Sequence, residues 1–583
     1  MAERPRRHGA WLDEHGHTHF ALWAPDARTV AVQLEGGERH AMAPAPDGWF
    51  ATRLALEAGS AYRYLIDERL LVPDPASRSQ VDDVHGPSRV DDPRAHVWRS
   101  DHWQGRPWHE TVLYELHVGS LGGYAGVEAR LPALRELGVT AIELMPLGEF
   151  PGGRNWGYDG VLPFAPDSSY GSPAQLRQLI DSAHQLGLMV FVDVVYNHFG
   201  PDGNYLGQYA SDFFREDVHT PWGPAIDFRR REVRDFFIEN ALMWVLDYRI
   251  DGLRLDAVHA IGECDFLLEL AGRLHAAVPA SRHLHLVLEN ENNDADLLQR
   301  GFVAQWNDDG HNVLHHLLTG EAEGYYADFA EDATHKLARC LQEGFIYQGE
   351  TTRHGTPRGR VSAHLPPTAF VLFLQNHDQV GNRALGDRLL GLSDVDALKS
   401  ATALMLLCPM IPLLFMGEEW GCEQPFQFFT SHNEELGEAV RKGRQNEFRE
   451  FSLFAGQDIP PPNAPGTFHA SSPDHAARDS ACGQQWLAFY GELLRLRQRH
   501  LVPHLPGARA EAARVLAPGA VSARWTLGNG QSLRIDLNLA AAPVAIEPLA
   551  EQAQRLFAHG LPDRSNPQQL PPRSVLVSLE AGV

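Results

Sequence analysis

Gly252-Leu-Arg-Leu-Asp256, Leu286-Val-Leu-Glu289 and Phe373-Leu-Gln-Asn-His-Asp378 decide how this chain reads. Each run contains or follows an apolar stretch with the character of a buried strand. Each also sets an acidic side chain where that strand ends. An ionised carboxylate is costly to bury without partners. Three of them at three strand ends predict one acidic pocket at one end of a sheet or barrel.

Working outward, the pattern from about residue 108 alternates strand and helix. Eight strands are expected over 112–118, 141–146, 190–196, 252–257, 284–289, 302–306, 370–375 and 411–416. Most are near-continuous apolar runs, as parallel strands covered on both faces require. Ser172-Pro-Ala-Gln175 reads as a capping box with proline at the first helical position. A second helix is expected from about 231 to 248, with Val233, Phe236, Phe237, Ala241, Trp244, Val245 and Tyr248 at helical spacing. Eight alternations predict an α/β fold, a (β/α)₈ TIM barrel, with long inserts at about 199–229 and 310–365.

Residues 1–95 alternate in polarity between turn signals and read as an N-terminal β-sandwich. Val72 to Pro93 is rich in Pro, Asp and Ser and reads as a linker. The barrel is assigned to 96–500, ending in an amphipathic helix near 484–500. Short strands and turns over 501–583 read as a C-terminal β-sandwich. A chain of 583 residues is long enough for several such units.

The chemistry follows from the carboxylates. A retaining glycosidase needs a carboxylate nucleophile and a carboxylic acid about 5 Å apart. Arg254 lies two residues before Asp256, so both side chains share one face of a strand. A guanidinium there keeps the nucleophile ionised. Burial beside another carboxylate keeps Glu289 protonated as the acid. Asp378 is expected to bind hydroxyls or to stabilise positive charge on the ring, and His377 and His198 to donate to the same sugar. Tyr158 is a stacking candidate, and Trp156, Trp222, Trp306 and Trp420 are candidate sugar platforms.

The formal net charge of −25 argues against a nucleic-acid partner, whose binding needs cations. Five scattered cysteines without a C-x-x-C pair argue against disulfide scaffolds and zinc ribbons. Cys408, in an apolar run, reads as a core residue. His311 and His315 are four apart but lack the carboxylate pattern of a helical metal site, so neither metal nor cofactor is expected. No signal peptide or membrane span is visible, which points to the cytosol.

At these residues the chain resembles the α-amylase superfamily, glycoside hydrolase family 13. Asp193-Val-Val-Tyr-Asn-His198, Gly252-Leu-Arg-Leu-Asp-Ala257, Glu289 and Asn376-His-Asp378 match its four motifs in order. The resemblance implies Asp256 as nucleophile, Glu289 as acid/base and Asp378 as transition-state stabiliser. It also implies a sandwich of the early-set, glycogen-binding-like type at the N-terminus. Finer strings, including Phe150-Pro-Gly-Gly-Arg-Asn-Trp-Gly-Tyr-Asp-Gly160 and Trp306-Asn-Asp-Asp309, resemble the trehalose-releasing branch of the superfamily. That branch cleaves the α-1,4 bond beside the terminal trehalose of maltooligosyl trehalose. It is coupled to the enzyme that makes the trehalose-capped chain. A glucan branching transferase is the alternative. The same resemblance implies a cleft lined by Arg254, Leu255, Ala257, Val258 and His259. It adds Asp308, Asp309, Gly310, His311 and Asn312, then His377, Gln379, Val380, Gly381 and Asn382. Gly310 and Asn312 depart from the branch's pattern, where an aromatic residue and a second histidine are expected.

Overall fold

The computed structural model describes residues 8–220, 223–448, 459–561 and 567–581. Its centre is a closed barrel of eight parallel strands. In order they are β1 (Leu113–Leu116), β2 (Ala141–Leu144), β3 (Met189–Val194), β4 (Gly252–Leu255), β5 (His285–Leu288), β6 (Ala304–Trp306), β7 (Phe370–Phe373) and β8 (Ile411–Phe415). β8 pairs with β1 and closes the ring. Every residue of these strands is buried. That explains the near-continuous apolar runs: helices cover the outside, and side chains such as Met189, Phe191, Val287, Trp306 and Phe373 fill the inside.

The principal helices between these strands are α1 (Pro173–Gln185), α2 (Arg231–Leu246), α3 (Cys264–Ala277), α4 (Asp308–Thr319) and α5 (Val395–Leu407). The α1 capping box is complete: Ser172 accepts from the Gln175 N–H and Gln175 reaches back to the Ser172 N–H. α2 buries Val233, Phe236, Phe237, Ala241, Trp244 and Val245.

The insert expected over 310–365 is partly regular. α4 starts directly after β6, because Asn307 caps it by accepting the Gly310 N–H. A further helix, Ala333–Glu343, lies within the same stretch. The segment read as a linker is instead packed. Residues 72–80 are buried, and Asp74 accepts from the hydroxyls of Tyr62 (2.6 Å) and Tyr64 (3.2 Å). Arg78 lies over the ring of Phe164. The polar composition satisfies buried hydrogen bonds here and does not mark mobility.

Two antiparallel sheets precede the barrel, and Phe20 of one meets Tyr62 of the other edge-on at 4.9 Å. After it come a five-stranded antiparallel sheet and a two-stranded one. Ser400 on α5 donates to the carbonyl of Arg573, tying that sheet to the barrel. Among the described residues, no helix is long and apolar enough to cross a membrane.

Candidate active site

Within the barrel, polar side chains rise above the apolar layer. Asp193 on β3 is in register with Arg254 on β4, and Glu115 on β1 with Glu143 on β2. Above them opens a cavity of about 1080 Å³, and Asp256, Glu289 and Asp378 all line it. Asp256 and Glu289 directly follow β4 and β5. Asp378 sits in a short helix, His377–Gly381, beyond β7, capped by Asn376.

Each carboxylate has its own holder. Arg254 Nη1 donates to Asp256 Oδ1 at 2.7 Å and to Asp193 Oδ2 at 2.6 Å. Asn197 Nδ2 donates to Asp256 Oδ2 at 3.0 Å. Both Asp256 oxygens therefore accept, which fixes the orientation of the carboxylate. The Arg254 guanidinium is fully buried and lies 4.2 Å over the Trp306 ring. Tyr158 donates to Asp193 at 2.5 Å, which fixes its ring at the cavity wall.

Glu289 Oε2 accepts the backbone N–H of Ala257 at 2.6 Å. Ala257 has φ 42°, a left-handed conformation at the residue that donates to the acid. Burial pushes the Glu289 carboxyl well above the usual carboxylate range; Arg254 opposes this, and Asp256, Asp308 and Asp378 add to it. A carboxyl that keeps its proton is what the general acid of such a site needs. Asp378 accepts from Asn382 Nδ2 at 3.1 Å. Burial, with Asp378 nearby, raises Asp308 to about 7.

Tyr158, His198, Ala257, His259, Asp308, Asn312, His377, Gln379 and Asn382 also line the cavity. Other expected contacts do not. Arg254 stands behind the wall and acts through Asp256. Leu255 and Val258 are core residues, 1% and 3% exposed. Asp309 is fully buried, pairing with Arg358 at 2.9 Å and accepting backbone N–H groups of Ile346 and Tyr347. His311 stacks on Phe373. Val380 is 2% exposed and belongs to the core. Helix and strand periodicity turns one face of each motif away from the cavity, so a contiguous run cannot contact substrate throughout.

Glycine at 310 and 381 has a packing reason. A Cβ at Gly310 would stand 2.7 Å from Leu372 Cδ1 and 3.2 Å from Cys340 Sγ, so the expected aromatic would require these side chains to move. A Cβ at Gly381 would stand 2.1 Å from the Trp156 ring. Trp156 lines the cavity, whereas Trp306 and Trp420 are 1% and 4% exposed core residues and no platforms. Trp222 lies outside the described residues.

Sequence reasoning missed the cleft wall beyond α4. Glu321, Tyr325, Tyr326, Arg358 and Arg383 line the cavity. Glu321 receives two hydrogen bonds from Arg383 (2.6 and 2.9 Å) and lies 2.7 Å from His315 Nε2. Asp193 was also missed as a site residue. It opens the motif Asp193-Val-Val-Tyr-Asn-His198, of which only His198 was assigned to the site.

Residues 87–222 match the alpha amylase catalytic domain model, and 508–577 match a domain of unknown function (DUF3459). The chain is 42% identical to a malto-oligosyltrehalose trehalohydrolase of Deinococcus radiodurans, covering 84% of this chain and 82% of that one. It is 39% identical to the same-named protein of Rhizobium sp. strain M-11, covering 91% and 92%. A crystal structure assigned to an alpha amylase from Salmonella typhimurium superposes with a TM-score of 0.93 at 42% identity, covering 98% and 99%. With this likeness over most of both chains, the protein belongs to the malto-oligosyltrehalose trehalohydrolase family.

Proposed function

We propose that this protein is a retaining glycoside hydrolase that cleaves the α-1,4 bond next to the terminal trehalose of maltooligosyl trehalose. Asp256 is the nucleophile. It attacks the anomeric carbon while Glu289 gives its proton to the departing O4 of trehalose. Trehalose leaves. Glu289, now ionised, takes a proton from water, which attacks the glycosyl–Asp256 ester and releases the maltooligosaccharide with its anomeric configuration retained. Asp378 stabilises the positive charge that develops on the ring. Tyr158, His198, His259, Asp308, Asn312, His377, Gln379 and Asn382 contact the sugars.

One observation carries this reading. An aspartate held through both oxygens by Arg254 and Asn197 shares a cavity with a buried glutamic acid held by the Ala257 N–H. The choice of trehalose as leaving group rests on the family. The protein then acts in the cytoplasm in trehalose biosynthesis, downstream of an enzyme that caps maltooligosaccharides with trehalose.

Incubation with maltopentaosyl trehalose and with amylose tests it. Free trehalose from the first supports the proposal. New α-1,6 branches in the second, without trehalose from the first, favour a branching transferase instead.

A further inference from the structure

We infer that Glu115 is a positioning residue of this site: it grips His377 at two points so that the imidazole presents its Nε2 edge to Asp378 and to the sugar bound beside it. The inference deepens the glycosidase reading and rests on it.

Glu115 lies on β1, 1% exposed, 262 residues away in sequence from His377. Its Oε2 accepts the His377 backbone N–H at 2.9 Å, and its Oε1 lies 2.5 Å from His377 Nδ1. The carboxylate thus fixes both the backbone and the ring. With Nδ1 committed, Nε2 is left facing the cavity, 3.6 Å from Asp378 Oδ1. Tyr158 stacks on the imidazole at 4.9 Å, and Trp156 meets it edge-on at 5.4 Å. These rings restrict the orientation of the imidazole. Nδ1 must carry a proton to bond Glu115, so an Nε2 that also donates requires the doubly protonated form.

The surrounding charges favour that form. Burial works against a charged His377, but Glu115 and Asp378 outweigh it and raise the ring to about 9, with Arg254 opposing. His117 also faces it; burial lowers that ring to about 4, so it stays neutral. Glu143 on β2 is in register with Glu115, and neither of its oxygens has a hydrogen-bond partner among the described residues. Burial, then Glu115 and Asp193, push it well above the usual carboxylate range.

A double-mutant cycle with pH–rate profiles tests this. Glu115→Gln, His377→Asn and the pair are compared with the parent on any α-glucan the parent cleaves. Failure of the trehalose reading therefore leaves the test intact. Glu115→Gln should lower kcat/KM by about 10-fold or more, with the deficit growing as pH rises because the ring then loses its proton earlier. In the His377→Asn background the same change should cost less than about 2-fold. Thermal unfolding checks that each variant folds. If Glu115→Gln does not fold, Glu115→Asp replaces it; the retained charge should keep the parent's pH profile at reduced kcat/KM. Equal losses in both backgrounds, or a Glu115→Gln deficit that does not vary with pH, would overturn the inference.

Discussion

Arg254 and Asp256 stand two residues apart at the end of one barrel strand, joined by a 2.7 Å hydrogen bond from Nη1 to Oδ1. The same nitrogen also reaches Asp193. One guanidinium therefore orients the proposed nucleophile and links two neighbouring strands. Arg254→Met should leave two carboxylates without their cation. It should abolish turnover and destabilise the fold by about 3–5 kcal/mol, measured by urea unfolding. Unfolding at the parent's midpoint would show that the pair has no structural role.

Ala257 couples backbone geometry to the acid. Its φ of 42° is uncommon for a residue with a Cβ, and its N–H holds Glu289. Ala257→Val should cost about 1–3 kcal/mol and depress kcat, because a β-branched residue tolerates this conformation poorly. Ala257→Gly should leave kcat close to the parent's, since glycine adopts positive φ freely. Steady-state rates and thermal melts on both variants check this, and equal behaviour of the two would refute it.

The pH–rate profile should show an alkaline limb. Glu289 must carry its proton to donate it, and burial raises its pKa. Activity therefore falls as pH rises through that raised value, which forms the alkaline limb. Glu289→Gln should remove this limb and lower kcat by about 10²–10⁴-fold. An alkaline limb that persists unchanged in the variant's residual activity would assign it to another group.

Glu143 predicts a pH dependence of stability. Its folded pKa is raised above the ordinary value of 4.5, so the folded state binds the proton more tightly than the unfolded one. The resulting stability is fully present below 4.5 and is lost as pH rises toward the raised folded value. Glu143→Gln keeps the shape without titrating. It should flatten this decline and raise the melting temperature at alkaline pH. A variant whose melting temperature tracks the parent's at every pH would contradict the burial argument.

The barrel was legible because burial on both faces writes parallel strands as unbroken apolar runs. β6 shows where this thins: three residues, Ala304–Trp306, suffice because the strand is paired on both sides. Asp256, Glu289 and Asp378 were legible because an acid that ends such a run has few structural uses. Glu115 and Asp193 were not, because one acid inside an apolar strand carries no sign of which face it points to. The wall formed by Glu321, Tyr325 and Arg358 is assembled by long-range contacts such as Glu321 with Arg383, which no local pattern encodes. Leu255, Val258 and Val380 were over-assigned, because a motif records the backbone that positions a site as well as the atoms that touch the substrate.

The most direct test is an early-time proton NMR spectrum of maltopentaosyl trehalose mixed with the enzyme. Membership of the family predicts one free trehalose for each newly formed maltopentaose, and the pairing of Asp256 with Glu289 predicts that the maltopentaose appears first as its α-anomer. A β-anomer first, or glucose and maltose released without trehalose, would contradict the account.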